Sequence, residues 1–371
     1  MRIDQHSLPA GSANCQYSLS SFHYGPPGSK KVYLQASLHA DELPGMLVLH
    51  HLRALLEPAE TEGRLQGEIV LVPVANPIGL AQTFMHDQMG RFDFASGANF
   101  NRGFPDLAEQ LIALLAAALG DDAQRNVRLI RAGLRQLLDA AECRTPLESM
   151  RIELMCLAHD ADIVLDLHCD CEGVMHIYAP SDHAAEAERL GCYLGARAVL
   201  IADAVGGACF DEMLFKPWLR LRERFGAQFP VPQSCFASTV ELRGEQDVSD
   251  QLAGADARAI YRYLCGAGMI AGAANPPPAA VCAATPLSGS ATAYAGEPGL
   301  ISYAAQPGDT LQSGDLICRI VDPLSGHAYA VTSPIDGLMY SRVTFRYATR
   351  GMELAKIAGK IERRSGNLLG P

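Results

Sequence analysis

A histidine and a glutamate lie where an apolar strand pattern changes into an amphipathic helix pattern. His39 ends the run 32–38, VYLQASL, and Glu42 follows three residues later, before the helical pattern that begins at Leu43-Pro44. Proline is favoured in the first turn of a helix, where its missing N–H costs nothing. An imidazole and a carboxylate beside the carboxyl end of a strand are suited to bind zinc, so this junction predicts half of a metal site.

Two later segments supply candidates for the other half. His168 ends a second apolar run, 162–167, and Glu241 lies late in the alternating segment 236–243. Singly, each has an ordinary explanation, such as a polar turn or a solvated strand face. Together, all four side chains fall at predicted strand ends, which share one edge of a parallel sheet. Two imidazoles and one carboxylate leave a zinc position open for water, and Glu241 would be the general base.

The rest of the first 270 residues alternates between strand and helix patterns, which predicts an α/β fold. Its sheet should be mixed but largely parallel and flanked by helices. A polar, glycine-rich loop is predicted over 82–103, and a helical insertion over about 105–160. The other predicted elements are strands at 68–74 and 174–179 and helices at 184–197 and 250–264.

A change of composition marks a second domain. Residues 1–270 form the predicted hydrolase domain, the proline-rich segment 271–286 a linker, and 287–371 a small all-β domain. The two halves of that domain have similar sequence patterns, each running from a strand that begins at glycine through a turn to an apolar strand. The domain resembles the biotinyl/lipoyl-like barrel or sandwich. Carriers of that fold hold a lysine between the halves, whereas 321–337 contains none. We therefore expect a structural cap or an interaction module without a prosthetic group.

Composition excludes several classes of protein. The 371 residues carry a formal charge of −11 without a dense basic cluster, which argues against a nucleic-acid partner. The most apolar stretch, 111–119, is far short of a membrane span, and residues 1–12 contain no apolar segment of the kind found in signal peptides. The eleven cysteines have no framework spacing and indicate reduced thiols. We expect a folded cytoplasmic protein with no membrane partner.

The order of the motifs along residues 30–265 is more specific than any of them alone. The chain resembles the succinylglutamate desuccinylase/aspartoacylase family, itself similar to the zinc carboxypeptidases. The resemblance implies a zinc carboxypeptidase-like fold and the hydrolysis of an amide bond. The motifs that carry it are His39-Ala40-Asp41-Glu42, Asn76-Pro77, Asn101-Arg102-Gly103-Phe104-Pro105, Asp166-Leu167-His168 and Thr239-Val240-Glu241-Leu242.

The resemblance also implies roles for individual residues. His39, Glu42 and His168 would bind one zinc ion per chain, and Glu241 would be the general base. Asp166 is placed to orient a ligand imidazole, although a solvated or capping carboxylate is an equally good interpretation.

The same resemblance assigns the substrate contacts. Arg102, with Asn101, would hold a substrate carboxylate, because a guanidinium matches a carboxylate with two parallel hydrogen bonds. Arg91 would polarise the scissile carbonyl. The chain departs from simpler members of the family at residues 98–100 and in its long helical insertion, whereas the metal set is unchanged.

The leading hypothesis is a zinc-dependent deacylase. It would hydrolyse a small N-acyl amino acid or N-acyl amine that carries a carboxylate, by attack of zinc-bound water. One alternative is a zinc carboxypeptidase that acts on a peptide C-terminus, with the same site residues. The other is a non-catalytic binding or assembly module with a vestigial metal site. A homo-oligomer is compatible with the sequence.

Overall fold

A nine-stranded sheet forms the centre of the molecule. A computed structural model describes residues 1–28, 30–272, 276–366 and 368. In spatial order the strands are β1 (Arg2–Ser7), β2 (Ser18–Tyr24), β4 (Glu68–Val72), β3 (Lys31–Ala36), β7 (Ile163–Asp170), β11 (Phe236–Gly244), β9 (His176–Ala179), β10 (Ala198–Ile201) and β12 (Ala284–Pro286).

The middle of this sheet is parallel, as the sequence predicts. Strand β3 pairs in parallel with β4 and β7, and β7 pairs in parallel with β11. The antiparallel pairs are β1 with β2, β2 with β4 and β9 with β11. The carboxyl ends of β3, β7 and β11 therefore meet at one edge, which is where ligands bind in open α/β sheets.

Helices cover both faces of the sheet. They are α1 (Pro44–Thr61), α2 (Pro77–Leu80), α3 (Ala108–Leu115), α4 (Ala123–Asp139), α5 (Pro146–Ala158), α6 (Ala184–Leu194), α7 (Phe210–Phe225) and α8 (Asp250–Gly266). Neighbouring residues of β3 point to opposite faces, so Tyr33 packs in the core with α3, α4, α5 and α7, and Leu34 in the core with α1, α6 and α8. Burial on both faces explains why the central strands read as continuous apolar runs.

The predicted helical insertion is three helices, α3 to α5. Its last helix begins with a capping box, in which Thr145 and Glu148 satisfy each other's backbone N–H groups. The sequence pattern predicts no helix between 198 and 235, where the structure has α7. Helix α7 contains Pro217, a residue that disfavours helix interiors, and it buries Trp218, the only tryptophan of the chain. Tertiary packing outweighs the cost of the proline here.

Two of the predicted strand ends lie elsewhere in the structure. His168 is inside β7, which runs to Asp170, because pairing with β11 continues past the histidine. His39 lies three residues beyond the end of β3, after a turn in which Ser37 adopts a φ of 64°. A positive φ is uncommon for a non-glycine residue and often accompanies a functional site.

Residues 291–358 form two further sheets. The first contains β13 (Ala291–Tyr294), β20 (Glu353–Ala358), β18 (Gly337–Arg342) and β15 (Thr310–Leu311), and the second β17 (Ala328–Thr332), β16 (Leu316–Val321), β14 (Gly299–Tyr303) and β19 (Tyr347–Ala348). Ile317, Ile320, Leu354 and Ile357 are among the buried residues of a separate core. The resemblance to the biotinyl/lipoyl-like fold stays a prediction.

The predicted linker ends earlier than its composition suggests. Strand β12, at 284–286, pairs in parallel with β10 and closes the edge of the central sheet, so these residues are not a connecting peptide. A proline is tolerated in this strand because edge strands need not donate on both sides. Residues 273–275 of the predicted linker, and 367 and 369–371 of the predicted β domain, lie outside the described residues.

Three short strands complete the fold. They are β5 (Thr83–Phe84), β6 (Asp87–Gln88) and β8 (Glu172–Gly173). The first two form a hairpin within the predicted 82–103 loop, whereas β8 pairs with β18 and joins the α/β part to the β domain. Within the described chain, no helix is long and apolar enough to cross a bilayer.

A close backbone contact holds the loop against the turn that carries His39. The N–H of Ala40 donates to the carbonyl of Gly90 at 3.0 Å. A Cβ atom on Gly90 would lie 2.2 Å from the backbone nitrogen of Asp41, a distance that no real contact allows. Only glycine therefore lets the two segments approach this closely.

We expect Gly90→Ala to lower the free energy of unfolding by about 1 to 3 kcal/mol, because the loop must move away from the His39 turn. Urea denaturation measures the change. Gly296→Ala is the control, since no atom lies within 4 Å of a Cβ placed there. Equal stability of the Gly90 and Gly296 variants would contradict this account.

Candidate metal centre and active-site cavity

His39, Glu42 and His168 form a buried cluster at the edge of the central sheet. The Glu42 carboxylate lies between the two imidazoles, with Oε1 2.9 Å from Nδ1 of His39 and Oε2 2.7 Å from Nδ1 of His168. One ligand atom from each residue falls within 4.8 Å of the others. The three side chains are at most 5% exposed. This group could hold a metal ion.

The outer nitrogens of both histidines are held by other residues. Nε2 of His39 lies 2.9 Å from Oδ1 of Asn99, and this oxygen also accepts the N–H of Asn101, so His39 donates to it. Nε2 of His168 lies 3.0 Å from Oδ2 of Asp166. Both histidines therefore turn Nδ1 towards Glu42. Imidazole ligands of metals are commonly held in this way, so the donor set fits a zinc ion.

Asp166 is itself fixed by a chain of buried hydrogen bonds. Its Oδ1 accepts from the side-chain amide of Gln35 at 3.0 Å, and Gln35 accepts from the hydroxyl of Tyr33 at 2.9 Å. All three residues are fully buried. Of the two interpretations of Asp166 that the sequence leaves open, the geometry favours the one in which it orients His168.

Burial and charge act together on the acid–base properties of this cluster. Burial lowers the pKa of His39. Burial alone would also lower the pKa of His168, but the nearby Asp166 and Glu42 carboxylates raise it well above its usual value. Burial would raise the pKa of Glu42, and the two imidazoles overcome that effect and hold it well below its usual range. Glu42 is therefore an anion, as a metal ligand must be.

Three residues that the family resemblance assigns to substrate contacts, Arg91, Asn101 and Arg102, lie beside the cluster. Nη1 of Arg91 donates to Oε1 of Glu42 at 3.2 Å and lies 3.4 Å from Nδ1 of His39. Asn101 accepts the N–H of Phe210 at 2.9 Å, so helix α7 fixes its side chain. Arg102 contacts the sulfur of Cys209 at 3.3 Å, directly before that helix.

Glu241 faces the same cavity from β11, opposite His168 in the paired strand. Its Oε2 atom is buried and has no hydrogen-bond partner among the described residues. Burial, reinforced by the negative charge of Glu42, raises the pKa of Glu241 to about 8. Buried polar atoms are rarely left without a partner, and those that are often have a functional reason.

These side chains line one cavity of ≈ 540 Å³, which contains every site residue that the sequence predicts. The β domain closes the opposite wall with residues that no sequence motif suggested: Thr292, Tyr294, Tyr340, Glu353 and Lys356. The β domain therefore borders the cavity directly.

An ion pair crosses the junction beside the cavity. Nζ of Lys356 lies 3.0 Å from Oδ2 of Asp170, two residues after His168. Burial alone would lower the pKa of Lys356, but the Asp170 carboxylate outweighs it and the pKa is raised. Glu172 forms further ion pairs with Arg342 and Arg346, and β8 pairs with β18. The strand that carries His168 is thus attached to the β domain.

Sequence reasoning missed three residues of the site, of which Asn99 contacts His39 and the other two line the cavity. Asn99 could have been found, since it stands two residues before Asn101 in the same loop. Asp211 lies on α7, a helix that the pattern did not predict. Lys356 comes from a β domain whose position relative to the site was unknown, so no local signal pointed to it.

Comparison with known proteins agrees with the geometry. Residues 28–204 match the model of the succinylglutamate desuccinylase/aspartoacylase catalytic domain. This part of the chain is similar to that domain. The family is a group of deacylases, and the resemblance predicted from the sequence is confirmed. Glu241 lies beyond the matched segment, so this match does not bear on its predicted role as the general base.

Several solved structures share the fold over nearly the whole chain. A family protein from Shewanella amazonensis SB2B is 26% identical, with a TM-score of 0.85, over 96% of this chain and 98% of its own. A second, from Shewanella frigidimarina NCIMB 400, is 26% identical with a TM-score of 0.84, over 96% and 97%. The product-bound ectoine utilization protein EutE from Ruegeria pomeroyi shares the fold at 16% identity and a TM-score of 0.67, over 97% and 95%. No curated protein sequence matches the chain.

We expect His39→Ala and His168→Ala each to weaken zinc binding by more than about 100-fold. Loss of an outer hydrogen-bond partner alone typically costs 10- to 100-fold, and these variants remove a ligand. Zinc content after dialysis against a competing chelator measures the effect. The control is His51→Ala, a surface histidine that pairs with Asp250. Zinc retention by both site variants would show that the ion binds elsewhere.

Proposed function

We propose that this protein is a zinc-dependent deacylase that hydrolyses the amide bond of a small N-acyl amino acid or N-acyl amine. The observation that carries the proposal is one cavity that contains both the His39–Glu42–His168 cluster and the carboxyl of Glu241. A metal-binding group beside a buried, unpaired acid is the arrangement that amide hydrolysis requires.

The cluster would hold the metal through Nδ1 of His39, Nδ1 of His168 and the carboxylate of Glu42. A zinc ion bound there supplies Lewis acidity and lowers the pKa of water to about 7. A cation held by the cluster would favour the ionised form of the nearby Glu241 carboxyl, so that Glu241 can accept the proton of the attacking water on its free oxygen. It then donates that proton to the leaving nitrogen, because an amide anion is a very poor leaving group.

Two arginines have separate tasks in this proposal. Arg91, which already contacts Glu42, donates to the carbonyl oxygen that gains negative charge during attack. One such donor typically contributes about 3 to 4 kcal/mol to the stability of a transition state. Arg102 pairs with a substrate carboxylate and fixes the register of the substrate rather than taking part in the chemistry.

The shape of the cavity favours a small substrate over a peptide. Tyr294, Tyr340 and Lys356 of the β domain close the wall that a peptide chain would have to cross. A volume of ≈ 540 Å³ is within the range of small-molecule sites. This observation supports an N-acyl amino acid rather than the C-terminus of a peptide.

Glu241→Gln should keep its zinc and lose about 100- to 10,000-fold in kcat, because the amide cannot accept or return the proton. Hydrolysis of N-acetyl and N-succinyl amino acids, measured beside zinc content, provides the test. Glu245→Gln is a matched control on the segment just after β11. Full activity of the zinc-loaded Glu241→Gln variant would rule out its role as the base.

Arg102→Lys should raise KM about tenfold for a carboxylate-bearing substrate and change kcat little. The lysine keeps the charge but loses the planar pair of hydrogen bonds, which act equally in the bound substrate and the transition state. Arg220→Lys, on the exposed side of α7, is the control. An unchanged KM would show that the carboxylate binds elsewhere.

A further inference from the structure

A groove on the surface of the β domain adjoins the active-site cavity. It has a volume of ≈ 430 Å³ and lies between β13 and β17, which are edge strands of the two sheets of that domain. Thr292 and Tyr294 line both the groove and the cavity, so the two spaces are neighbours that share these side chains. The chemistry described above makes no use of this β13–β17 groove.

The wall of the groove is largely apolar. Within the described chain it contains one charged residue, Glu297, whose carboxylate pairs with Arg350. The other lining residues are uncharged, and Ile320, Tyr329 and Val331 give the wall apolar surface. A concave apolar surface that stays open to solvent is typical of a ligand-binding groove. The group that fits this groove is therefore itself uncharged and apolar.

The side chain of Tyr294, at the boundary between the two spaces, is weakly held. It is 53% exposed, and its hydroxyl donates to Oε1 of Glu353 at 3.4 Å, which is long for a hydrogen bond between oxygen atoms. Exposed side chains change rotamer within nanoseconds. Rotation of this ring displaces the larger of the two shared side chains without any change in the backbone.

The position of the groove also indicates which part of a substrate reaches it. Asn101 and Arg102, proposed to hold the substrate carboxylate, contact the start of α7. Thr292 and Tyr294 belong to the β domain, which forms the opposite wall of the cavity. With the scissile amide at the metal cluster between these walls, the acyl group is the part of the substrate that extends towards the β domain.

We propose that the β13–β17 groove binds the far end of the acyl group, and that the preferred substrates carry an unbranched apolar acyl chain of medium length. This inference rests on the proposed deacylase function. The chain would pass Tyr294 and cover the apolar wall of the groove. A single unbranched chain is narrower than a peptide with its side chains, so a wall that excludes a peptide can admit it. Each methylene group buried in this way contributes about fourfold to affinity.

The N-octanoyl and N-acetyl derivatives of one amino acid test the proposal. We expect the zinc-loaded protein to show a kcat/KM at least about tenfold higher for the octanoyl derivative, since burial of only a few added methylene groups gives this difference. Gly296→Trp should bring the ratio close to one. Gly296 lines the groove, and a Cβ placed there meets no atom within 4 Å, so the indole ring has room to occupy the groove. Gly272→Trp is the matched control, because its Cβ is equally free but it lines neither the groove nor the cavity.

A ratio near one in the unmodified protein, or a ratio that Gly296→Trp leaves unchanged, would overturn the proposal. Calorimetric titration with octanoate and acetate separates this result from a failure of the deacylase function, since binding needs no turnover. Binding of octanoate at least about tenfold tighter than that of acetate, and lost in Gly296→Trp, would support the acyl groove even if neither derivative is hydrolysed. Equal binding of the two acids would refute it. Size-exclusion chromatography covers the remaining outcome: if Gly296→Trp separates two copies of the chain, the groove is a protein interface and the proposal is wrong.

Discussion

The bridge that Glu42 forms between His39 and His168 is the interaction on which the site depends. A carboxylate that is 5% exposed is costly to bury unless partners compensate its charge. Here one oxygen faces each imidazole, and Arg91 approaches the first oxygen from the loop. His168 lies 126 residues after Glu42 in the chain. The bridge forms only because β3 and β7 are neighbours in the sheet.

Each part of the fold constrains this bridge from a different side. The β3–β7 register sets the height of His168 beside the turn that carries His39. Gly90 lets the loop lie against that turn, and Asn99 and Asp166 fix the outer nitrogens of the imidazoles. The β domain holds the end of β7 through Lys356 and closes the cavity. The β domain therefore forms part of the cavity wall and is not a peripheral attachment.

The sequence predicted the class of fold, and it named side chains that the structure brings together in one cavity, because both leave local signals. Apolar runs that end at His39 and His168 indicated neighbouring strands, and the family resemblance pointed to Arg91, Asn101 and Arg102. What it missed depends on long-range packing. Helix α7 forms despite Pro217, since Trp218 and its neighbours fill a core that the pattern does not reveal. Lys356 reaches the site only through the docking of the β domain.

The central claim is that His39, Glu42 and His168 together bind the catalytic metal, and X-ray absorption spectroscopy of the zinc-loaded protein tests it most directly. Zinc bound by two imidazoles and a carboxylate should show a shell of nitrogen and oxygen ligands at about 2.0 to 2.2 Å, with multiple scattering from two imidazole rings. A sulfur shell at about 2.3 Å would instead place the ion on cysteines such as Cys169 and Cys171. That result, or the absence of imidazole scattering, would contradict the account.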